Sequence, residues 1–235
     1  MIHHEVEGEG FPLFLHTGGA GDLRMWRTAG YVDGLEGYRL VLVDHRGRGR
    51  TPPADSYTPA EFAADVVDVA DALGLERFAF WGYSLGARIG FELAAREPGR
   101  VAAFIASGGV DGPDEDPEEW REWAAVVRAG GVRAFLGDAP APGWLIEHLC
   151  ETDDEVFARS CEDFAGWDPW PLFPSIQAPT LIVAGEHESE HVTAAAAALA
   201  YGECEILPGL GHIDGWARSD LVLPRARRFL TEALP

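Results

Sequence analysis

The chain has 235 residues, of which 47% are hydrophobic, so it is long enough and apolar enough to bury one core. Its formal charge is −21, from 39 acidic and 18 basic residues, and every basic residue is arginine. The acidic excess disfavours nucleic acids and anionic membranes as partners. The absence of lysine excludes Schiff-base chemistry on a lysine side chain.

Signals for targeting and for disulfide bonds are weak. No apolar run approaches the roughly 18–20 residues that span a bilayer. Residues 1–7 lack the basic stretch followed by an apolar stretch that marks a secretory signal peptide, so we expect a cytoplasmic protein. Cys150, Cys161 and Cys204 are odd in number and lack metal-ligand spacing. We therefore expect reduced thiols and no metal site.

The first half of the chain alternates between strand-like and helix-like segments. Short apolar runs at Phe11–His16 and Arg39–Asp44 predict strands, the second without polar alternation, as in a strand covered on both faces. A capping box at Thr58–Glu61 predicts the start of a helix, which Gly74 ends.

The segment Gly82-Tyr83-Ser84-Leu85-Gly86 follows an apolar run at Arg77–Trp81 and precedes a helix-like stretch at Ala87–Ala95. A Gly-x-Ser-x-Gly sequence between a strand and a helix is typical of a nucleophile elbow, a turn so tight that small residues must flank the serine. The turn exposes the serine hydroxyl, and the N-terminus of the following helix favours developing negative charge. Ser84 is therefore the candidate nucleophile.

The remaining buried-type strands are predicted at Val101–Ala106, Pro179–Ala184 and Cys204–Leu207, and a final helix includes Arg225–Leu230. Strands that alternate with helices indicate an α/β fold with a mostly parallel sheet covered on both faces.

Residues 112–175 interrupt this alternation, because they contain no clear strand. Asp116–Glu119 and Thr152–Glu155 are typical of helix starts, each with an acid three residues after the capping residue. We expect a helical insertion over the sheet, whose tryptophans either form the core of the insertion or, for at least one of them, line a substrate cavity. Those tryptophans are Trp120, Trp123, Trp144, Trp167 and Trp170.

A serine hydroxyl needs a base to remove its proton, and the usual base is a histidine oriented by a carboxylate. His212 lies in the glycine-rich stretch Gly209–His212, directly after the last predicted strand. We therefore predict that His212 is the base for Ser84.

With these residues the chain resembles the α/β-hydrolase fold family, of the kind with a helical cap. The resemblance includes Asp44–Thr51, similar to the family's Asp-x-Arg-Gly-x-Gly-x-Ser segment, the elbow, Pro179–Gly185 and Gly211-His212. It implies a mostly parallel, twisted sheet flanked by helices, a core of residues 1–111 and 176–235, and a small helical cap of residues 112–175.

The orienting acid departs from the family pattern. The family usually places Asp three residues after the glycine that closes the penultimate strand, and this position holds Glu188. Glutamate can serve in such a site. The resemblance also leaves Asp111, past the strand at 101–106, as an alternative acid, and Glu186, Glu190 or no acid as further possibilities.

The oxyanion hole requires two backbone N–H groups directed at the developing alkoxide. One is expected from Leu85, directly after the nucleophile. The resemblance implies Gly18 as the other donor, although Thr17 stands where the family has a glycine. Tyr83 is expected to pack behind the elbow and His45 to be a structural loop residue.

The predicted function is a serine hydrolase that cleaves a carboxylic ester, with a thioester or lactone as alternatives, and that needs no cofactor. A small or medium apolar acyl substrate is favoured by the tryptophan-rich cap. The same residues are compatible with carbon–carbon bond hydrolysis, acyl transfer or perhydrolysis, because a fold does not choose among them. A non-catalytic ligand receptor is a further alternative, and the oligomeric state is left open.

Overall fold

The computed structural model describes residues 1–113 and 116–235, so positions 114 and 115 of the predicted cap lie outside the described residues. In this part of the chain a sheet of seven strands is flanked by helices. The strands are β1 His4–Glu7, β2 Phe11–His16, β3 Tyr38–Val43, β4 Phe78–Tyr83, β5 Val101–Ser107, β6 Thr180–Gly185 and β7 Gly202–Leu207. The α-helices are α1 Arg24–Thr28, α2 Pro59–Ala72, α3 Leu85–Arg96, α4 Pro117–Leu136, α5 Gly143–Leu149, α6 Asp154–Phe164, α7 Val192–Ala198, α8 His212–Ala217 and α9 Ser219–Ala233.

The strand order is β1-β3-β2-β4-β5-β6-β7, with β1 antiparallel to β3 and the other pairs parallel. Every residue of β4, β5 and β6 is buried, as expected of central strands covered by helices on both faces. This architecture confirms the predicted α/β-hydrolase fold.

Sequence patterns located the parallel strands to within a few residues and missed the edge strand β1. The sequence of β1 is His-Glu-Val-Glu, with one apolar residue, so it has no periodic signal. It forms because His4–Glu7 pairs with the backbone of Leu40–Val43. Pairing with a distant strand therefore determines this element.

Side-chain caps begin α2, α4 and α6. Thr58 forms the predicted capping box with Glu61, and Asp116 caps α4 by accepting from Glu118 N–H. The prediction for α6 was wrong by one residue: Asp153, rather than Thr152, caps this helix by accepting from Val156 N–H at 2.9 Å. The hydroxyl of Thr152 instead donates to the carbonyl of Ala20, which ties the start of α6 to the loop after β2.

The helices α4, α5 and α6 lie between β5 and β6 in the chain, where the helical insertion was expected. No strand occurs among the described residues of 112–175. At the end of this segment a 3-10 turn, Trp170–Ser175, packs on α3 through Phe173, whose ring lies 5.3 Å from that of Phe91. None of the described helices combines the length and the apolar character needed to cross a bilayer.

The sheet topology creates a crevice at the carboxyl ends of the strands. The chain passes from β2 to β3 on one side and then to β4 on the other, so β2 and β4 are neighbours, with His16 opposite Gly82. Ligands of open α/β sheets bind at such a switch point, where consecutive connections leave in opposite directions. Ser84 follows β4 at this edge, so the fold places the candidate nucleophile in the crevice.

Candidate active site

Ser84 occupies a strained turn between β4 and α3. Its φ is 55° and its ψ is −116°, and it is the only non-glycine residue with positive φ in the described chain. The neighbouring Gly82 permits the turn, because a Cβ atom there would lie 2.0 Å from the carbonyl oxygen of Gly86. Strain of this kind persists only where surrounding structure enforces it, and it clusters at functional sites.

The structure brings Ser84, Glu188 and His212 together from the segments that follow β4, β6 and β7, respectively. The Nε2 atom of His212 lies 2.8 Å from the hydroxyl of Ser84, and its Nδ1 atom lies 2.5 Å from Glu188 Oε2. The other carboxylate oxygen of Glu188 accepts from Gly185 N–H at 3.1 Å. The serine, histidine and acid thus have the connectivity required for activation of a nucleophile.

The alternative acids have other partners. Both carboxylate oxygens of Asp111 accept from the guanidinium of Arg88. Glu186 accepts from Gly209 N–H at 2.7 Å, and Glu190 is exposed. Of the acids considered from the sequence, Glu188 is the one whose carboxylate contacts His212.

Leu85 and Gly18 both line the cavity around Ser84. Leu85 is the first residue of α3, so its N–H has no carbonyl one turn earlier to which it could donate. Gly18 approaches Ser84 closely, since a Cβ atom there would lie 3.2 Å from Ser84 Cβ. Thr17, which replaces the expected glycine, is buried and donates through its hydroxyl to the carbonyl of Gly21. The substitution therefore fits within a compact loop.

Arg48 stabilises this loop, although no pattern in the sequence indicates that role. Its buried guanidinium donates to the carbonyl of Gly19 and, at 3.3 Å, to the hydroxyl of Ser160 on α6. Burial lowers the pKa of Arg48 to about 10. The segment Asp44–Thr51 carries part of the resemblance to the fold family. Only the folded chain shows that Arg48, within this segment, joins the loop after β2 to the cap.

Gly108, after β5, also permits close packing at the site. Its φ is 95°, and a Cβ atom there would lie 2.9 Å from the ring of His212 and 3.1 Å from Ser84 N. Ser84 N–H donates to Ser107 O at 2.7 Å, which fixes the elbow against β5. A side chain at position 108 would therefore crowd Ser84 and the ring of His212.

An aromatic stack lies behind His212. The ring of Tyr83 lies 5.2 Å from the ring of His212 and 4.3 Å from the ring of Trp216, and Tyr31 stacks on the other side of Trp216 at 4.3 Å. The Tyr83 hydroxyl donates to the carbonyl of His212 at 3.2 Å. Burial raises the pKa of Tyr83 well above its ordinary value, so this hydroxyl stays protonated and able to donate.

A cavity of about 370 Å³ opens onto Ser84. Its lining is mainly apolar, and the cap contributes many of the apolar side chains, including Leu145, Phe135 and Phe157. Trp120 and Trp123 line it, which answers the question that the sequence left open about the tryptophans of the cap. Trp167 and Trp170 instead use their indole N–H groups to bind Glu92 and the carbonyl of Asp111.

All three cysteines are free thiols, and Cys161 lines the cavity. Burial raises the pKa of Cys161 to about 12, so the neutral thiol is strongly favoured there.

Asp22, His148 and Glu151 have ligand atoms within 4.8 Å of one another, but none of them lines the cavity. Arg24 already donates to both carboxylates of this group, which supplies the positive charge that a metal would bring.

A protein-family model described as "alpha/beta hydrolase fold" matches residues 12–141. The chain belongs to this family. The match begins in β2 and extends through the elbow into the segment that carries the cap helices.

Curated relatives include the putative carbamate hydrolase RutD of Variovorax paradoxus, 31% identical over 164 residues, which are 66% of this chain and 62% of that protein. The 3-oxoadipate enol-lactonase 1 of Acinetobacter baylyi is 29% identical over 164 residues, 63% of this chain and 60% of that protein. The chain thus spans about three fifths of the length of these relatives. Among solved structures, the enol-lactonase of Burkholderia xenovorans LB400 has a TM-score of 0.82 and 25% identity, with 98% of this chain and 96% of that chain covered.

Proposed function

We propose that the chain is a serine hydrolase that cleaves a carboxylic ester through an acyl-enzyme on Ser84. The observation that carries the proposal is the contact of His212 with Ser84 at 2.8 Å on one ring nitrogen and with Glu188 at 2.5 Å on the other. Relatives named as a putative carbamate hydrolase and as an enol-lactonase support hydrolysis as the reaction class.

In the proposed acylation step, His212 Nε2 removes the hydroxyl proton of Ser84 as Oγ bonds to the carbonyl carbon of the ester. The carbonyl electrons move to oxygen, and the N–H groups of Gly18 and Leu85 stabilise the oxyanion. Collapse of this intermediate breaks the bond to the leaving oxygen, and His212 returns the proton to that oxygen as the alcohol departs.

In the proposed deacylation step, water loses a proton to His212 and attacks the acyl carbon. The Ser84 ester bond breaks, the serine regains its proton from His212, and the carboxylic acid is released. Throughout, Glu188 accepts from His212 Nδ1–H, so it selects the tautomer with a free Nε2 and stabilises the imidazolium that forms. This sequence needs no cofactor.

Lactone cleavage is the second candidate, because one relative and a structural neighbour at 25% identity are named enol-lactonases. A lactone carries its leaving alcohol on the same molecule, so the same residues would act. We further propose a small or medium, largely apolar substrate, since the cavity of about 370 Å³ is lined mainly by apolar side chains.

The test uses p-nitrophenyl esters of graded chain length and a matched series of γ- and δ-lactones, with wild type, Ser84→Ala and the control Ser175→Ala at an exposed serine. We expect Ser84→Ala to lower kcat by roughly 10⁴- to 10⁶-fold and Ser175→Ala to leave it unchanged. A fluorophosphonate probe should label wild type and not Ser84→Ala. Equal labelling of both would contradict the proposal.

A further inference from the structure

An ion pair unrelated to the proposed chemistry lines the same cavity as Ser84. Arg88 and Asp111 contribute side chains that are only 16% and 10% exposed, respectively. Among the residues that the structure describes, the other acidic or basic side chains that line this cavity are Glu188 and His212. A buried pair of this kind is costly to desolvate and is weak support for stability, so another role must be considered.

Arg88 is held rigidly from two sides. Its Nε and Nη2 atoms donate to the two carboxylate oxygens of Asp111, and its guanidinium carbon lies 5.0 Å from the centre of the Trp120 ring. Asp111 is fixed in turn, because its carbonyl accepts from Trp170 Nε1 at 2.9 Å. A planar guanidinium fixed in this way loses little further entropy when it binds another group.

The pair leaves one end of the guanidinium unused. Neither hydrogen of Arg88 Nη1 has a hydrogen-bond partner in the described chain, and Nη1 is not among the buried, unpaired nitrogens of the protein. Arg88 Nη1 is therefore accessible to a ligand or to solvent. A guanidinium has five N–H donors, so two remain available on Nη1 alone.

Arg88 also lies at a defined distance along α3 from the nucleophile. Its N–H donates to the carbonyl of Ser84 at 3.2 Å, so it follows Ser84 by one helical turn on the same face. A group bound at the end of its side chain would belong to a part of the substrate several bonds away from the carbonyl attacked by Ser84.

The charge balance selects the kind of group. Asp111 already neutralises Arg88, and an anionic substrate would meet the negative charges of Asp111 and Glu188 in the cavity. An uncharged oxygen needs no counter-ion and gains a charge-assisted hydrogen bond. Resting on the ester hydrolysis proposed above, we infer that Arg88 Nη1 binds a neutral acceptor oxygen, such as a ketone, amide or ester carbonyl, remote from the scissile bond.

The experiment compares kcat/KM for p-nitrophenyl 5-oxohexanoate and 6-oxoheptanoate with that for the matched hexanoate and heptanoate. We expect wild type to prefer at least one oxo ester by about tenfold or more. In Arg88→Leu/Asp111→Leu, which removes the pair without leaving one charge alone, the ratio should fall to about one. The ratio is taken within one preparation, so it does not depend on the fraction of protein that is folded.

The matched control is Arg121→Leu/Glu118→Leu, which removes an exposed ion pair of α4 and should leave the ratio unchanged. A wild-type ratio near one for both oxo esters would overturn the inference, and this needs no variant. The inference would also be overturned if wild type preferred the anionic p-nitrophenyl hemiglutarate and the double variant at positions 88 and 111 lost this preference. The subsite would then bind anions.

A binding measurement separates this inference from the proposed hydrolysis. Calorimetry on Ser84→Ala with methyl 5-oxohexanoate and methyl hexanoate reports the affinity ratio without turnover. If no ester is cleaved by wild type while the oxo ester binds about tenfold more tightly, the hydrolysis proposal fails and the assignment of Arg88 stands. If the two esters bind with equal affinity while wild type still cleaves esters, the assignment of Arg88 fails and the hydrolysis proposal stands.

Discussion

The tight turn at Ser84 determines where its hydroxyl lies relative to His212. Small residues at Gly82 and Gly86 permit the turn, which gives Ser84 a φ of 55° and leaves its hydroxyl 2.8 Å from His212 Nε2. Because this turn is encoded in five consecutive residues, its position and the serine at its apex could be predicted from the sequence. The resemblance also indicated Glu188 as the orienting acid, but Glu186 and Glu190 are close by, and only the loop conformation shows that the carboxylate of Glu188 contacts His212.

We expect Glu188→Gln to lower kcat for a p-nitrophenyl ester by roughly 10³- to 10⁴-fold, because an amide neither favours the correct tautomer nor stabilises the imidazolium. The matched control is Glu186→Gln two residues away, which should retain kcat. Asp111→Asn should lower kcat far less than Glu188→Gln. Loss of activity in Asp111→Asn alone would show that Glu188 is not the orienting acid.

Helix α8 begins at His212 and carries Trp216 one turn later, so the packing of the helix determines where His212 lies. Two tyrosine hydroxyls hold this helix by its backbone: Tyr83 donates to the carbonyl of His212 at 3.2 Å, and Tyr31 donates to that of Trp216 at 2.9 Å. The sequence placed Tyr83 behind the elbow but could not reveal this contact, because it joins residues 129 positions apart.

Replacing each tyrosine by phenylalanine keeps the stacked ring and removes one hydrogen bond. We expect Tyr83→Phe and Tyr31→Phe each to lower the free energy of unfolding by about 1 kcal/mol, measured by urea denaturation. Only Tyr83→Phe should also lower kcat, by up to about tenfold, because its bond is to His212 itself. Equal kcat values for the two variants would argue against a positioning role for Tyr83.

Two buried histidines couple the stability of the whole protein to pH. The rings of His16 and His45 stack at 5.0 Å beneath the loop after β2, and both side chains are buried. Burial lowers the pKa of His16 to about 4. Burial, together with the neighbouring His16 and Arg48, lowers the pKa of His45 well below its ordinary value. Both are therefore neutral in the folded state.

The unfolded chain binds these protons more readily than the folded chain does. The contribution of the two histidines to the free energy of unfolding is therefore at its maximum above pH 6.5 and falls as the pH drops from 6.5 toward 4. At pH 5 the contribution of His16 should be a loss of about 2 kcal/mol. His45→Phe keeps a ring in the stack without a titrating group, so its loss between pH 8 and pH 5 should be smaller than that of wild type. Urea denaturation at both pH values checks this, with the exposed His187→Asn as a control that should match wild type.

The order of elements, the tight turn at Ser84 and the position of His212 after the last strand were predictable because each depends on local properties: apolar periodicity, capping residues and the sterics of a tight turn. The edge strand β1, the one-residue shift of the α6 cap and the pairing of Arg88 with Asp111 were not. Each of these depends on which groups meet after distant segments pack, and similar residues nearby in the sequence compete for the same role. Short-range backbone sterics can be read along the chain, whereas the partner of a charged or polar side chain is selected by the folded geometry.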